Sequence, residues 1–213
     1  MPQPTTVSIE TDDVSLPGDL TVPPDPGGLV VFAHGSGSSR KSPRNQFVAE
    51  TLVDRGLATL LFDLLTPRED QTRENRFDID FLTDRLVAAT DWVGERDDVG
   101  DLPIGLFGSS TGAAAAIRAA AERRDRVAAV VSRGGRVDLA EEAFDAIDAP
   151  TLLVVGGADT QVLAWNRDAN DRLACESSVS VVEGAGHLFE GEGELEAVAD
   201  RAGAWFVEQF TRG

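Results

Sequence analysis

Residues 104–121 read IGLFGSSTGAAAAIRAAA. A short apolar run, Ile104 to Phe107, has the pattern of a buried strand, and the alanine-rich run Gly112 to Ala121 has high helix propensity and side chains small enough to lie close against a sheet. Between them stands Gly108-Ser109-Ser110-Thr111-Gly112, a GxSxG pentapeptide at a strand-to-helix junction. That setting predicts a sharp turn which thrusts Ser110 out at the sheet's edge, above a helix N-terminus, with no room for a larger side chain at 108 or 112. Composition alone would produce GxSxG in roughly one such chain in ten, so the βα setting gives the match its weight.

The same punctuation runs outward in both directions. Leu29 to Ala33, Ala58 to Phe62, Val127 to Val131, Thr151 to Val155 and Val179 to Val182 are short apolar runs ending in Gly, Ser or Asp clusters, as expected of strands covered on both faces. Ile79, Leu82, Leu86, Val87 and Val93 recur at helical spacing, as do Leu195, Val198, Ala199, Ala202, Trp205 and Phe206. Val7 to Ile9 and Val14 to Val22 read as an antiparallel hairpin turned by Pro17 and Gly18. The prediction is an α/β fold: a doubly wound, mainly parallel sheet with helices on both faces and the reaction crevice at the strands' carboxyl ends. With neither repeat nor long linker, residues 1–213 read as one domain, 1–28 being the hairpin and lead-in and 29–213 the core.

Composition narrows the function. The chain carries 37 Asp+Glu against 19 Lys+Arg, a net charge of −18, which excludes a nucleic-acid binder held by phosphate neutralisation. All but one of the basic residues, Lys41, are arginine; adaptation to high salt and a GC-biased codon supply are two readings of this surface. A single cysteine, Cys175, leaves no internal disulfide and no Cys cluster for a metal, and it reads as a packing residue. The opening MPQPTTVSIE lacks a basic or apolar signal region, and no stretch approaches about 18 apolar residues, so the expected location is the cytoplasm with no membrane partner.

A serine nucleophile needs a base, and the chain has two histidines. His187 follows the run Val179 to Val182 through Glu183-Gly184-Ala185-Gly186, a loop able to carry an imidazole over the sheet's edge. Asp159, just past Thr151 to Val155, is placed to orient that ring; Asp138 and Glu183 compete for the role. The order Ser110, Asp159, His187 is the order found in α/β-hydrolases. His34 opens His34-Gly35-Ser36-Gly37-Ser38 at another strand end and reads as a loop brace. This loop and the nucleophile turn would supply two backbone N–H groups to an oxyanion, from Ser36 and Thr111, with Gly35 the alternative to Ser36.

The segments FAHGSGSSRKSPRNQFVAE, LFDLLT, GLFGSSTGAAAA, VVSRGGRVDLA, PTLLVVGGADTQV and GAGHLFE together resemble the dienelactone-hydrolase-like branch of the α/β-hydrolases from about residue 29 to the C-terminal helix. The resemblance implies a hydrolase without a large lid, needing no cofactor or metal, acting on a small ester or lactone with Ser110, Asp159 and His187 as its triad. Dienelactone hydrolases proper use cysteine where this chain has Ser110, a departure that counts against dienelactone as substrate. Similar sequences are also joined to a phosphoribosyltransferase-like domain, so a partner of that type is an expectation, as is a homodimer.

Arg44 and Arg133, near two strand ends, are candidate contacts for an anionic substrate; Arg40, Lys41 and Arg136 lie close by, and pairing with the abundant acids is the alternative for all of them. Asp63 reads as a loop brace or a partner for one of these arginines. A P-loop reading of Gly35 to Ser42 fails where Arg40 replaces the second glycine and Pro43 follows. A nicotinamide-dependent reductase fits worse, since Gly105, Gly108 and Gly112 lack the GxGxxG spacing and the chain has no tyrosine. An idle hydrolase scaffold kept as a binding module is the remaining rival.

Overall fold

The computed structural model describes residues 2–11 and 13–212. The apolar runs become strands β1 (Thr5–Glu10), β2 (Ser15–Thr21), β3 (Leu29–Ala33), β4 (Ala58–Phe62), β5 (Ile104–Ser109), β6 (Val127–Arg133), β7 (Thr151–Gly156) and β8 (Ser177–Val182). They form one sheet in the order β1-β2-β4-β3-β5-β6-β7-β8. The first two strands join antiparallel and all the others are parallel, giving a mainly parallel sheet.

Among the described residues, helices α1 (Pro43–Asp54), α2 (Ile79–Gly94), α3 (Thr111–Glu122) and α4 (Thr160–Arg172) lie between strands, and α5 (Glu194–Arg212) follows β8. Strand alternation sorts the core into two layers. Leu29, Val31 and Ala33 of β3 face the cluster built with Leu82, Leu86, Ala113 and Ile117 of α2 and α3. Val30 and Phe32 face the opposite cluster, with Val48 and Leu52 of α1 and Val198 and Phe206 of α5. Because β3 and β5 are buried on both faces, they fix the height of everything carried at their carboxyl ends.

The hairpin differs from expectation in where it turns. It closes at Thr11 to Val14, where the Thr11 N–H donates to the Val14 carbonyl at 2.9 Å and the Thr11 hydroxyl bonds the same residue. Pro17 and Gly18 instead lie inside β2, opposite Ser8 and Val7. Proline has no N–H to offer, but its carbonyl accepts from the Asp63 N–H at 3.1 Å, and the missing Cβ at 18 leaves room for Leu60 and Val7. Helices α1 and α4 carry no strong apolar stripe in the sequence. The first is started by Ser42, whose hydroxyl accepts from the Asn45 N–H, with Pro43 in its opening turn.

Candidate active site

Ser110 sits where β5 ends and α3 begins, with φ 51° and ψ −119°, a strained conformation for a residue with a side chain. Its backbone is held from both sides. The N–H donates to the Arg133 carbonyl at 3.2 Å, and the carbonyl accepts from Arg136 N at 3.0 Å and Ala113 N at 3.1 Å. The two glycines of the pentapeptide are required by close approach. A Cβ at Gly112 would lie 2.2 Å from the Ala33 carbonyl oxygen, and one at Gly108 would lie 2.4 Å from the Ala113 Cα. Ser109, just before the turn, donates to Asn45 Oδ1 at 3.0 Å and so ties β5 to α1, a contact no motif announced.

The loop after β3 runs alongside. A Cβ at Gly35 would meet the Ser110 Cβ at 3.2 Å, so the two backbones are in contact. The Ser36 N–H donates to the Thr111 hydroxyl at 3.0 Å, so in the substrate-free protein this amide already has an acceptor. His34 is buried and braces the loop. Its Nε2 accepts from the Leu64 N–H at 3.0 Å and its Nδ1 donates to the Gly35 carbonyl at 3.0 Å, fixing the neutral tautomer. Burial holds its pKa below 6.5, outweighing the upward pulls of the Gly35 carbonyl, Asp63 and Asp70.

The loops after β7 and β8 bring Asp159 and His187 together, with Asp159 Oδ2 2.7 Å from His187 Nδ1. Backbone bonds align the loops: Gly157 N to Val182 O at 2.9 Å and Ala158 N to Ala185 O at 2.9 Å. The imidazole passes over Gly134, where a Cβ would stand 3.5 Å from its Cε1 and Nδ1; Gly134 directly follows the residue whose carbonyl holds the Ser110 amide. Among the described residues no hydrogen bond joins the Ser110 hydroxyl to His187. Asp159 is the acid brought to this ring: Asp138 is engaged by Arg136 at 2.8 and 3.0 Å, and Glu183 is exposed.

The basic residues divide. Arg40 pairs with Asp63 and Asp19, Lys41 with Asp19, and Arg136 with Asp138 while stacking over Trp165. Asp63 thus partners an arginine, and the Gly35-to-Ser42 loop is tied to acids of this chain. Arg44 reaches the histidine loop, its Nε on the Leu188 carbonyl and its Nη2 on Glu190, both at 2.8 Å. Arg133 keeps part of its surface exposed, but its Nη1 is sealed from water without a hydrogen-bond partner. Burial, with the nearby Arg44 cation, pushes its pKa down to about 10. Beside the loop after β3 is a shallow dent walled by Gly35, Ser36, Leu65, Arg76 and Leu82, of which the sequence pattern did not single out Leu65 and Arg76. Cys175 is half-buried, and its thiol pKa is raised, chiefly by burial.

A family model described as alpha/beta hydrolase fold matches residues 28–178. The crystal structure of a dienelactone hydrolase from Anabaena variabilis superposes with a TM-score of 0.96 at 51% identity, covering 98% of each chain. Est1E from Butyrivibrio proteoclasticus, at 19% identity and a TM-score of 0.82, covering 97% of this chain and 99% of its own, shares the fold. A Mycobacterium tuberculosis protein named "Putative phosphoribosyl transferase" is 52% identical over 204 residues, 96% of this chain and 46% of its own. The chain therefore spans about half the length of that relative.

Proposed function

We propose that this chain, which belongs to the alpha/beta hydrolase fold family and within it to the dienelactone-hydrolase-like branch, is a serine hydrolase that cleaves a small carboxylic ester or lactone. The observation that carries the reading is the 2.7 Å bond between Asp159 and His187, on loops that converge beside the strained turn presenting Ser110.

In the proposed reaction His187 Nε2 takes the Ser110 hydroxyl proton as Oγ bonds to the substrate carbonyl carbon, and the carbonyl electron pair moves onto oxygen. Asp159 holds Nδ1–H and stabilises the imidazolium. The backbone N–H groups of Thr111 and of Ser36 or Gly35 receive the oxyanion; use of Ser36 requires its amide to exchange the Thr111 hydroxyl for substrate oxygen. Collapse of the tetrahedral intermediate expels the alkoxide, which takes the His187 proton. Water, deprotonated by the same ring, then attacks the acyl-enzyme and releases acid and Ser110. The serine–histidine hydrogen bond forms as substrate closes the site, since such bonds are commonly long in free enzymes.

Hydrolysis of p-nitrophenyl acetate tests the reading. Ser110→Ala and His187→Ala should each lose almost all turnover, and a Ser110→Ala protein retaining most of it overturns the assignment. The length of the mycobacterial relative also favours a phosphoribosyltransferase-like protein as partner, which we propose for co-purification tests, with the hydrolase itself as one domain in the cytoplasm. Among the described residues no helix is long and apolar enough to cross a membrane.

A further inference from the structure

We propose that Asn166 is a positioning residue for the site: its side-chain amide locks α4, which carries Asp159, to the turn after β6, which holds Ser110 and seats the His187 ring. The effect on turnover rests on the hydrolase reading, but the contacts do not. Asn166 is fully buried in α4, about two turns beyond Asp159 and on the same side of the helix. Its Nδ2 donates to the Gly135 carbonyl at 2.9 Å and to the Val162 carbonyl one turn back at 2.8 Å. Its Oδ1 is sealed from water with no partner among the described residues. A buried amide with an unsatisfied oxygen is a poor packing residue, and leucine would fill the same space at less cost. What the amide adds is a donor for Gly135.

The turn gripped in this way meets the other two reacting groups. The Arg133 carbonyl accepts the Ser110 N–H, and the Arg136 N–H donates to the Ser110 carbonyl at 3.0 Å. Gly134, between them, lies under the His187 ring and donates its own N–H to the Val154 carbonyl at 2.8 Å. Gly135 is pressed between β6 and α3, where a Cβ would collide with the Ser132 hydroxyl and the Ala113 side chain. Such a turn is a fixed reference. Helix α4, by contrast, is lightly held by apolar contact: Val162 and Leu163 pack with Val155 in a small cluster apart from the two main layers, and Ala169 reaches one of those layers with a single methyl group. Polar ties therefore set its height, from Asn166 to Gly135 and from the Trp165 ring to the Arg136 guanidinium stacked 4.5 Å from its centre. Asp159 stands at the N-cap of α4 but makes no capping bond, its carboxylate being given to His187 instead. The carboxylate moves with α4, and α4 is registered on the turn.

Asn166→Ser is the discriminating variant, because a serine hydroxyl can still bond the Val162 carbonyl within the helix but is too short to reach Gly135. Asn166→Leu keeps the volume, removes the donor and should repeat the result, which covers a serine variant that does not fold. Ala169→Gly is the matched control, since it loosens α4 without touching the turn. The first readout is the tautomer of each imidazole, from long-range proton–nitrogen NMR correlations at alkaline pH, and it needs no turnover. The chain has two histidines; His34, whose Nε2 accepts from Leu64, should stay protonated on Nδ1 throughout and serves as internal reference. His187 should carry its proton on Nδ1 in the wild type and in Ala169→Gly, and shift toward the Nε2–H form in both Asn166 variants. The second readout is p-nitrophenyl acetate hydrolysis, where kcat should fall about tenfold or more in those variants while KM stays within about twofold. A wild-type His187 protonated on Nε2, a tautomer unchanged in the Asn166 variants, the same change in Ala169→Gly, or an unchanged kcat in an active protein overturns the proposal. The expected tautomer change in a protein without esterase activity supports the positioning and counts against the hydrolase reading instead.

Discussion

Substituting Gly112 by alanine tests how the turn holds its nucleophile. The added Cβ would lie 2.2 Å from the carbonyl oxygen of Ala33, the last residue of a strand buried on both faces, and 2.7 Å from that of His34, which follows it. Ordinary contact begins near 3.4 Å, so α3 must back away from β3 by about 1 Å. The start of α3 carries Ser110, the Thr111 amide and the hydroxyl bonded to Ser36, so all three move together relative to the loop after β3. Overpacking of this kind costs about 1–3 kcal/mol, or roughly 2–12 °C in melting temperature for a chain of this size. A displacement of about 1 Å at the reacting atoms lowers turnover by about a hundredfold. Gly27→Ala is the matched control, since a Cβ there meets nothing within 4 Å. The assay is thermal unfolding beside kcat for a p-nitrophenyl ester. Wild-type stability and kcat in Gly112→Ala would refute the claim that this contact sets the nucleophile's position.

Further expectations concern the neighbouring groups. Asp159→Asn should leave the fold intact and reduce kcat by about 10⁴, because the amide no longer holds the imidazole in the working tautomer; a loss under tenfold would shift that role to another acid. Thr111→Val should lower the melting temperature by leaving the Ser36 N–H without its acceptor, while kcat holds or rises because that amide is then free for substrate. A hundredfold fall in kcat would instead make the Thr111 hydroxyl an oxyanion donor. His34 should make the fold acid-sensitive. Its folded pKa lies below 6.5, so as pH falls through 6.5 the unfolded chain binds a proton that the native state refuses, and stability drops until the folded pKa is reached. Urea unfolding between pH 7 and 5 should show a shallower decline for His34→Gln than for the wild type, and equal slopes would contradict the neutral brace.

Most of the sheet was legible because strands covered on both faces must be continuously apolar, a signal that needs no knowledge of neighbours. The strand-turn-helix setting of Ser110 was legible for the same reason, as its two flanks differ in period. What escaped was decided by polar contacts between distant segments. The hairpin turn lies at Thr11 to Val14 because a threonine hydroxyl closes it, whereas the proline and glycine that suggest a turn fit into β2 by facing Asp63 and Leu60. Helix α4 has few buried apolar positions, Val162, Leu163 and Ala169 among them, and so no clear stripe to read. In the site, the sequence points to Asp159 and His187 by their place after strands. The pairing of Ser36 with Thr111 and the isolation of Arg133 depend on side-chain directions that spacing does not encode.

In the proposed reaction the Ser110 hydroxyl, at the tip of the turn, is a nucleophile activated by His187. Treating the protein with a fluorophosphonate and mapping the adduct by mass spectrometry tests this most directly. A single stoichiometric adduct should form on Ser110, far more slowly in His187→Ala and not at all in Ser110→Ala. Equal labelling in His187→Ala, or an esterase-active protein whose Ser110 stays unmodified, would contradict it.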